Sequence, residues 1–225
     1  MEGLMRLKAM AKINLGLDVL GKREDGYHEV RMIMQTIRMY DILDIRKTRR
    51  PGIVLTTNLP FIPTDQRNLV YKAAQMLMEE FDVEEGLSIK LRKFIPVAAG
   101  MAGGSSDAAA AFVGVNRMFH LGLTEEQLME RAVKVGADVP YCIMRGTALA
   151  EGIGEKLTRL PEVPKCYVLI GKPGINVSTK TAYENLNLEG IGKHPDIDGL
   201  IGAIRNNDLY AMASRMENFS STKWS

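Results

Sequence analysis

Pro96-Val-Ala-Ala-Gly100-Met-Ala-Gly103-Gly104-Ser105-Ser106-Asp107-Ala108 is the stretch that decides how this chain is read. It follows an alternating apolar and polar run, Leu87 to Leu91, and leads into the small-residue run Ala108 to Ala111. It therefore joins a strand to a helix. Tiny residues let an anion approach the backbone closely. A helix N-terminus adds unpaired N–H groups and the positive end of the macrodipole. Ser105 and Ser106 can cap the helix, bond a phosphate oxygen or, for Ser106 above all, ligate magnesium. A tight turn before an ordinary capped helix is the plainer reading. Three glycines and two serines crowded among alanines, opened by Pro96, favour a phosphate loop instead.

Working outward, Val30, Met32 and Met34 alternate with polar neighbours from Glu29 to Thr36, which predicts another strand. Leu69, Val70, Ala73, Ala74, Leu77 and Phe81 recur at helical spacing and predict an amphipathic helix over Asn68 to Phe81. The helix after Ser106 is expected to stop near Gly122. Thr124 and Gln127 form a capping box for a third helix, ending at Gly136. Cys166 to Ile170, wholly apolar before Gly171, predicts a buried strand. Pro161 and Pro164 punctuate the approach to it, so two lobes are expected, 1–160 and 161–225. Strands and helices do not alternate regularly, which favours an α+β fold over a doubly wound parallel sheet.

The chain has 225 residues. At roughly 150 residues per domain that is one or two domains. Hydrophobic residues make up 46% and charged residues 25%, a globular balance that argues against disorder and coiled coil. Lys plus Arg is 29 against 27 Asp plus Glu, a net charge of +2. That is too little to make nucleic acid or an anionic membrane the main partner. Cys142 and Cys166 lie in no CxxC pair and build no disulfide framework, so a reducing, cytoplasmic setting is expected. The first ten residues lack the apolar core of a signal peptide, and no run is long enough to span a membrane. Two near-motifs fail. Gly16-Leu-Asp-Val-Leu-Gly21-Lys22 has Arg23 where a Walker A loop needs Ser or Thr. Gly152-Ile-Gly154 lacks the third glycine of a dinucleotide fingerprint.

Asp138 lies in Gly136-Ala-Asp-Val-Pro140, just past the third helix. Pro140 is expected to hold Val139 extended and so fix the loop. A carboxylate there can take a proton from a hydroxyl nucleophile; alone, such an Asp reads as a turn residue or cap. Lys12, in Ala11-Lys-Ile-Asn-Leu15, sits in an otherwise apolar strand and alone reads as a surface lysine. Asp25-Gly26-Tyr27-His28 is a turn followed by two side chains able to stack and hydrogen-bond. No His/Cys cluster has zinc spacing.

In this order, the AKINL strand, DGYH turn, glycine–serine loop and GADVP loop resemble the galacto-, homoserine, mevalonate and phosphomevalonate kinase superfamily. The resemblance runs from about Met5 to about Glu217. It is nearest to the branch that phosphorylates a cytidine diphosphate-linked methylerythritol. It implies a two-lobed α+β small-molecule kinase that uses ATP and magnesium. By position it makes Asp138 the catalytic aspartate and Lys12 the lysine beside it. Pro96, Gly100, Gly103, Gly104, Ser105 and Ser106 fall in its phosphate loop and Asn68 near the adenine. Asn14 falls at the polyol end, Tyr27, His28 and Tyr183 around the cytosine, and Thr179 in the same substrate-facing segment. A monomer or weak homodimer is expected. Ala98 and Ala102 stand where the family often has glycine, which is unstrained only if φ is negative there. Nothing after Glu217 resembles the superfamily's third, glycine-rich motif. The C-terminal lobe is therefore expected to be incomplete. A different superfamily kinase, or an impaired ligand-binding relative, stays open as an alternative.

Overall fold

The computed structural model describes residues 3–172 and 194–218. Two long strands carry it: β1 (Met5–Lys22) and β2 (His28–Thr48). Three short strands, β3 (Ile53–Thr57), β4 (Gly86–Arg92) and β5 (Thr147–Gly152), join them, with β6 (Lys156–Arg159) and β7 (Glu217–Asn218). The order is β3-β4-β2-β1-β7, with β5 on β2 and β6 on β5. The predicted strand Glu29 to Thr36 opens β2, and Leu87 to Leu91 fills β4. The architecture is α+β, as expected.

The chain divides into two compact units, each drawing on separated stretches. One takes the chain up to Ala11, then Ile37–Val97 and Met101–Met144; the other takes Lys12–Thr36, Ala98–Gly100 and the described residues from Arg145 onward. This differs in kind from a single cut at residue 160, because β1 and β2 each contribute to both units.

In the first unit, β4 pairs antiparallel with β2, from Ile42↔Arg92 to Thr48↔Gly86, and parallel with β3. Leu87, Ile89 and Leu91 are buried while Lys90 is exposed, as the period-two pattern requires. Four helices follow: α1 (Leu69–Glu80), α2 (Gly103–Met118), α3 (Glu125–Ala132) and α4 (Val139–Met144). α1 lies within one residue of its expected bounds at each end, between an Asn68 N-cap and a Phe81 C-cap. α2 packs on α1, α3 and α4. It can do so because Ala108 to Ala111 are all buried and small. α2 ends before Gly122: His120 turns left-handed and the Leu121 N–H bonds back to the Asn116 carbonyl. The Thr124/Gln127 capping box opens α3, whose regular part stops at Ala132 and continues as turns to Gly136.

In the second unit, β5 pairs antiparallel with β2, from Val30↔Gly152 to Gln35↔Thr147, and β7 pairs parallel with β1. Helix α5 (Ile197–Arg205), capped by Asp196, and α6 (Leu209–Ala213), capped by Asp208, complete it. Leu15, Ile33, Leu149, Ile197, Leu200 and Ile204 form its core. Gly16 lies inside β1 rather than in a loop before a helix. A Cβ there would stand 2.9 Å from Ile197 Cδ1 and 3.0 Å from Leu200 Cδ2, so its smallness serves packing.

Two expectations fail. Pro140 does not hold Val139 extended: both open α4, where the missing proline N–H costs no hydrogen bond. Cys166 to Ile170 is not a buried strand, and Tyr167 and Leu169 are fully exposed. An apolar run becomes a strand only where a neighbouring edge supplies hydrogen bonds. Among the described residues no strand pairs with this one. Among them also, no helix is long and apolar enough to cross a membrane.

The start of β4 rests on a close approach. A Cβ on Gly86 would lie 1.8 Å from the Arg50 carbonyl oxygen and 2.3 Å from Thr48 Oγ1. Backbone cannot yield as a flexible side chain would. Gly86→Ala is expected to lower unfolding free energy by about 1–3 kcal/mol, the range for overpacking, read by urea denaturation.

Candidate active site

β4 runs directly into the glycine-rich loop, and the loop ends where α2 begins at Gly103. The N-cap is Ala102, at φ 53° and ψ 31°, and no side chain caps the helix. Ser105 and Ser106 are therefore not caps; they lie inside the first turn. The Ser106 N–H bonds the Ala102 carbonyl at 2.8 Å. The N–H groups of Gly103, Gly104 and Ser105 precede the first intrahelical bond and have no carbonyl to meet. Such a bare N-terminus on a 16-residue helix is a cradle for an anion.

The two serines differ. Ser106 is buried, its Oγ donates to the Met10 carbonyl at 2.5 Å, and it stands 3.4 Å from Cys142 Sγ. Ser105 is half-buried. Pro96, Gly100 and Gly104 are exposed. Ala98 and Ala102 both have positive φ, 54° and 53°. The condition for an unstrained alanine is not met, and each costs about 1–2 kcal/mol relative to glycine. Asn68 is committed at the start of α1: Oδ1 accepts from the Val70 N–H at 2.9 Å and Nδ2 donates to the Pro63 carbonyl at 2.7 Å.

Sequence reasoning missed a buried charge cluster under the loop. Lys93 Nζ donates to Asp41 Oδ2 and, at 2.7 Å, to Asp107 Oδ2. Asp41 also accepts the backbone N–H groups of Phe94 and, at 2.8 Å, Ile95. Asp107 is 1% exposed, and its Oδ1 has no partner. The signal was parity. Lys93 continues the inward set Leu87, Ile89, Leu91, and Asp41 continues Leu43, Ile45. Burial pushes the Asp107 carboxyl well above the usual carboxylate range; Asp41 adds to this, and Lys93 opposes it without prevailing.

Lys12 does not face solvent. It is 5% exposed, and its Nζ donates to Asn14 Oδ1 at 3.0 Å, two residues along the same face of β1. Asp138 immediately precedes α4, and its carbonyl accepts the Cys142 N–H at 3.1 Å. The DGYH turn closes with Arg23 N–H to Tyr27 carbonyl at 2.8 Å. Tyr27 is 60% exposed, and His28 is half-buried at the start of β2. Lys12, Asn14, Tyr27 and His28 thus belong to one compact unit, with Asn68, Ser105, Ser106 and Asp138 in the other. Thr179 and Tyr183 lie outside the described residues.

The model of the GHMP kinases N terminal domain matches residues 68–146. A relative from Lachnospira eligens, 4-diphosphocytidyl-2-C-methyl-D-erythritol kinase, is 56% identical over 214 residues, covering 95% of this chain and 74% of its own length. One from Caldicellulosiruptor bescii with the same name is 51% identical, covering 95% of this chain and 75% of its own length. The crystal structure of a 4-(cytidine 5'-diphospho)-2C-methyl-D-erythritol kinase superposes with TM-score 0.74 at 30% identity, over 91% of this chain and 72% of that one. A homoserine kinase from Cytophaga hutchinsonii shares the fold, with TM-score 0.66 at 18% identity over 94% of this chain and 72% of that one. The chain belongs to the 4-diphosphocytidyl-2-C-methyl-D-erythritol kinase family, and it is a phosphotransferase.

The Asp107 shift has a pH consequence. A carboxyl whose folded pKa is raised binds its proton more tightly folded than unfolded, so its contribution to stability falls as pH rises above the ordinary value of 3.8. Asp107→Asn removes that loss. Its stability relative to wild type is expected to grow from acidic to neutral pH, with the two converging in acid, measured by urea unfolding across the range.

Proposed function

We propose that this chain transfers the γ-phosphoryl of ATP to the 2-hydroxyl of 4-diphosphocytidyl-2-C-methyl-D-erythritol, in isoprenoid precursor synthesis. The observation that carries the reading is the bare N-terminus of α2, whose first N–H groups have neither a side-chain cap nor a carbonyl partner. ATP phosphates are the anions such a terminus suits, and Gly103 and Gly104 let them reach the backbone. Pro96 and Gly100 shape the loop that leads there, and Asn68 fixes the start of α1 near the adenine.

Phosphoryl transfer needs positioning and charge stabilisation more than covalent chemistry. Asp138 is the base that accepts the hydroxyl proton. Lys12 supplies a cation, its Nζ already oriented by Asn14, and Asn14 also serves the polyol end. Tyr27 has an exposed ring on which a cytosine can stack, an interaction worth ~1–3 kcal/mol per base. That favours a base-bearing substrate over homoserine or mevalonate. His28 borders the ring, and Thr179 and Tyr183 are assigned to the same substrate by resemblance.

Magnesium, when bound with ATP, neutralises charge on the phosphates. Ser106 is the hydroxyl the resemblance offers it, and Ser105, half-buried where Ser106 is buried, is the more accessible of the two. The reading takes the cytoplasm as setting, a monomer or weak homodimer as state, and residues 1–160 as the ATP-binding lobe.

Two variants test it. A Cβ on Gly104 would meet only Leu69 Cδ1, at 3.7 Å, an ordinary contact. Gly104→Ala should leave the melting temperature unchanged while raising KM for ATP about tenfold, through loss of phosphate contact alone. An unchanged KM would remove the phosphates from this helix. Asp138→Asn keeps shape but loses the proton acceptor, so kcat is expected to fall ~10²–10⁴-fold with ATP binding intact. Coupled ADP-release kinetics read both.

A further inference from the structure

We infer that Lys93 is a positioning residue for the ATP phosphates, its ammonium locking the entry of the glycine-rich loop to the first turn of α2. This rests on the reading that seats the phosphates at that turn.

The geometry is two-sided. On the entry side Asp41, fully buried on β2, accepts from Lys93 Nζ and from the backbone N–H groups of Phe94 and Ile95. On the exit side Asp107 in α2 accepts from the same Nζ at 2.7 Å. Lys93's own backbone is held as well. Its N–H donates to Asn58 Oδ1 at 2.8 Å and its carbonyl accepts from Asn58 Nδ2 at 3.1 Å. Every polar group of residue 93 is thus tied to a neighbour in the fold.

The ammonium also lies directly against the first residue of α2. A Cβ on Gly103 would stand 3.1 Å from Nζ and 3.2 Å from Ile95 Cγ2, so glycine is what admits this approach. A buried cation therefore backs the turn whose front N–H groups meet the phosphates. Its charge is offset by the carboxyls it pairs with, so what it supplies at this turn is position. Asp107 brings a carboxyl to the same turn with Oδ1 unpartnered. A group placed only for stability would satisfy both oxygens. Here one oxygen is spent on holding Lys93.

The test uses the full chain. Lys93→Met alone strands two buried carboxylates, so Lys93→Met/Asp107→Asn is compared with Asp107→Asn, which keeps an oxygen acceptor for Lys93. We expect the double variant to raise KM for ATP about tenfold and to leave KM for the cytidine substrate within about twofold, while Asp107→Asn alone, which weakens only the exit-side contact, gives a smaller selective rise in KM for ATP. If the double variant keeps the wild-type KM for ATP, Lys93 merely balances charge and the inference fails. It fails equally if both KM values rise together, or if Asp107→Asn alone raises KM for ATP as much as the double variant does. If the double variant does not fold, Asp41→Asn decides. It loosens Nζ on the entry side only, and a KM for ATP equal to wild type overturns the proposal whereas a selective rise supports it. Gly104→Ala separates this from the underlying reading. A response there without one from Lys93 sinks only the present inference, and no response from either sinks both.

Discussion

A lysine ammonium shut inside the first compact unit, shared between two aspartates, sets the constraint on which the phosphate loop rests. Removing Lys93 would leave buried carboxyls without their cation, a loss on the order of 3–5 kcal/mol. Lys93, Asp41 and Asp107 are therefore bound to one another's positions. They sit one residue past β4, on β2 and at the fifth residue of α2. The loop between Lys93 and Asp107 is closed at both ends by a contact that cannot be made halfway. Within those ends the backbone adopts left-handed conformations at Ala98, Gly100 and Ala102. Two of these are strained alanines, of a kind that persists where the surroundings over-determine the backbone.

That closure explains the division of labour along α2. Its first turn carries glycine and serine and offers backbone donors. Its second and third turns carry Ala108 to Ala111, which let α1, α3 and α4 pack closely around it. The helix that carries those donors is thus held by three other helices. Preorganised donors of that sort are what stabilise charge during phosphoryl transfer without reorganisation at the moment of reaction.

Much of this was legible beforehand. The helix over Asn68 to Phe81, the Thr124/Gln127 capping box, the β4 alternation and the strand-to-helix character of the glycine loop follow from local rules, and local rules are what short stretches encode. The residues of Cys166 to Ile170 misled because strand formation depends on a partner edge that an apolar run does not specify. Val139-Pro140 misled for a related reason: proline disfavours helix before it but suits a first turn, and tertiary packing of α4 chose the latter. Lys12 read alone looked solvated, yet it is buried on Asn14.

The resemblance was carried by residue types in a fixed order: a lysine in an AKINL strand, glycines and serines before a helix, and an aspartate in a GADVP loop. Which charges are buried and paired depends instead on long-range packing. Asp41, Lys93 and Asp107 are separated by 52 and 14 residues along the chain. No local pattern announces that three such ordinary charges meet. They meet because strand parity turns Asp41 and Lys93 inward and α2 settles over them. Once water is excluded, an unpaired charge is too costly to persist.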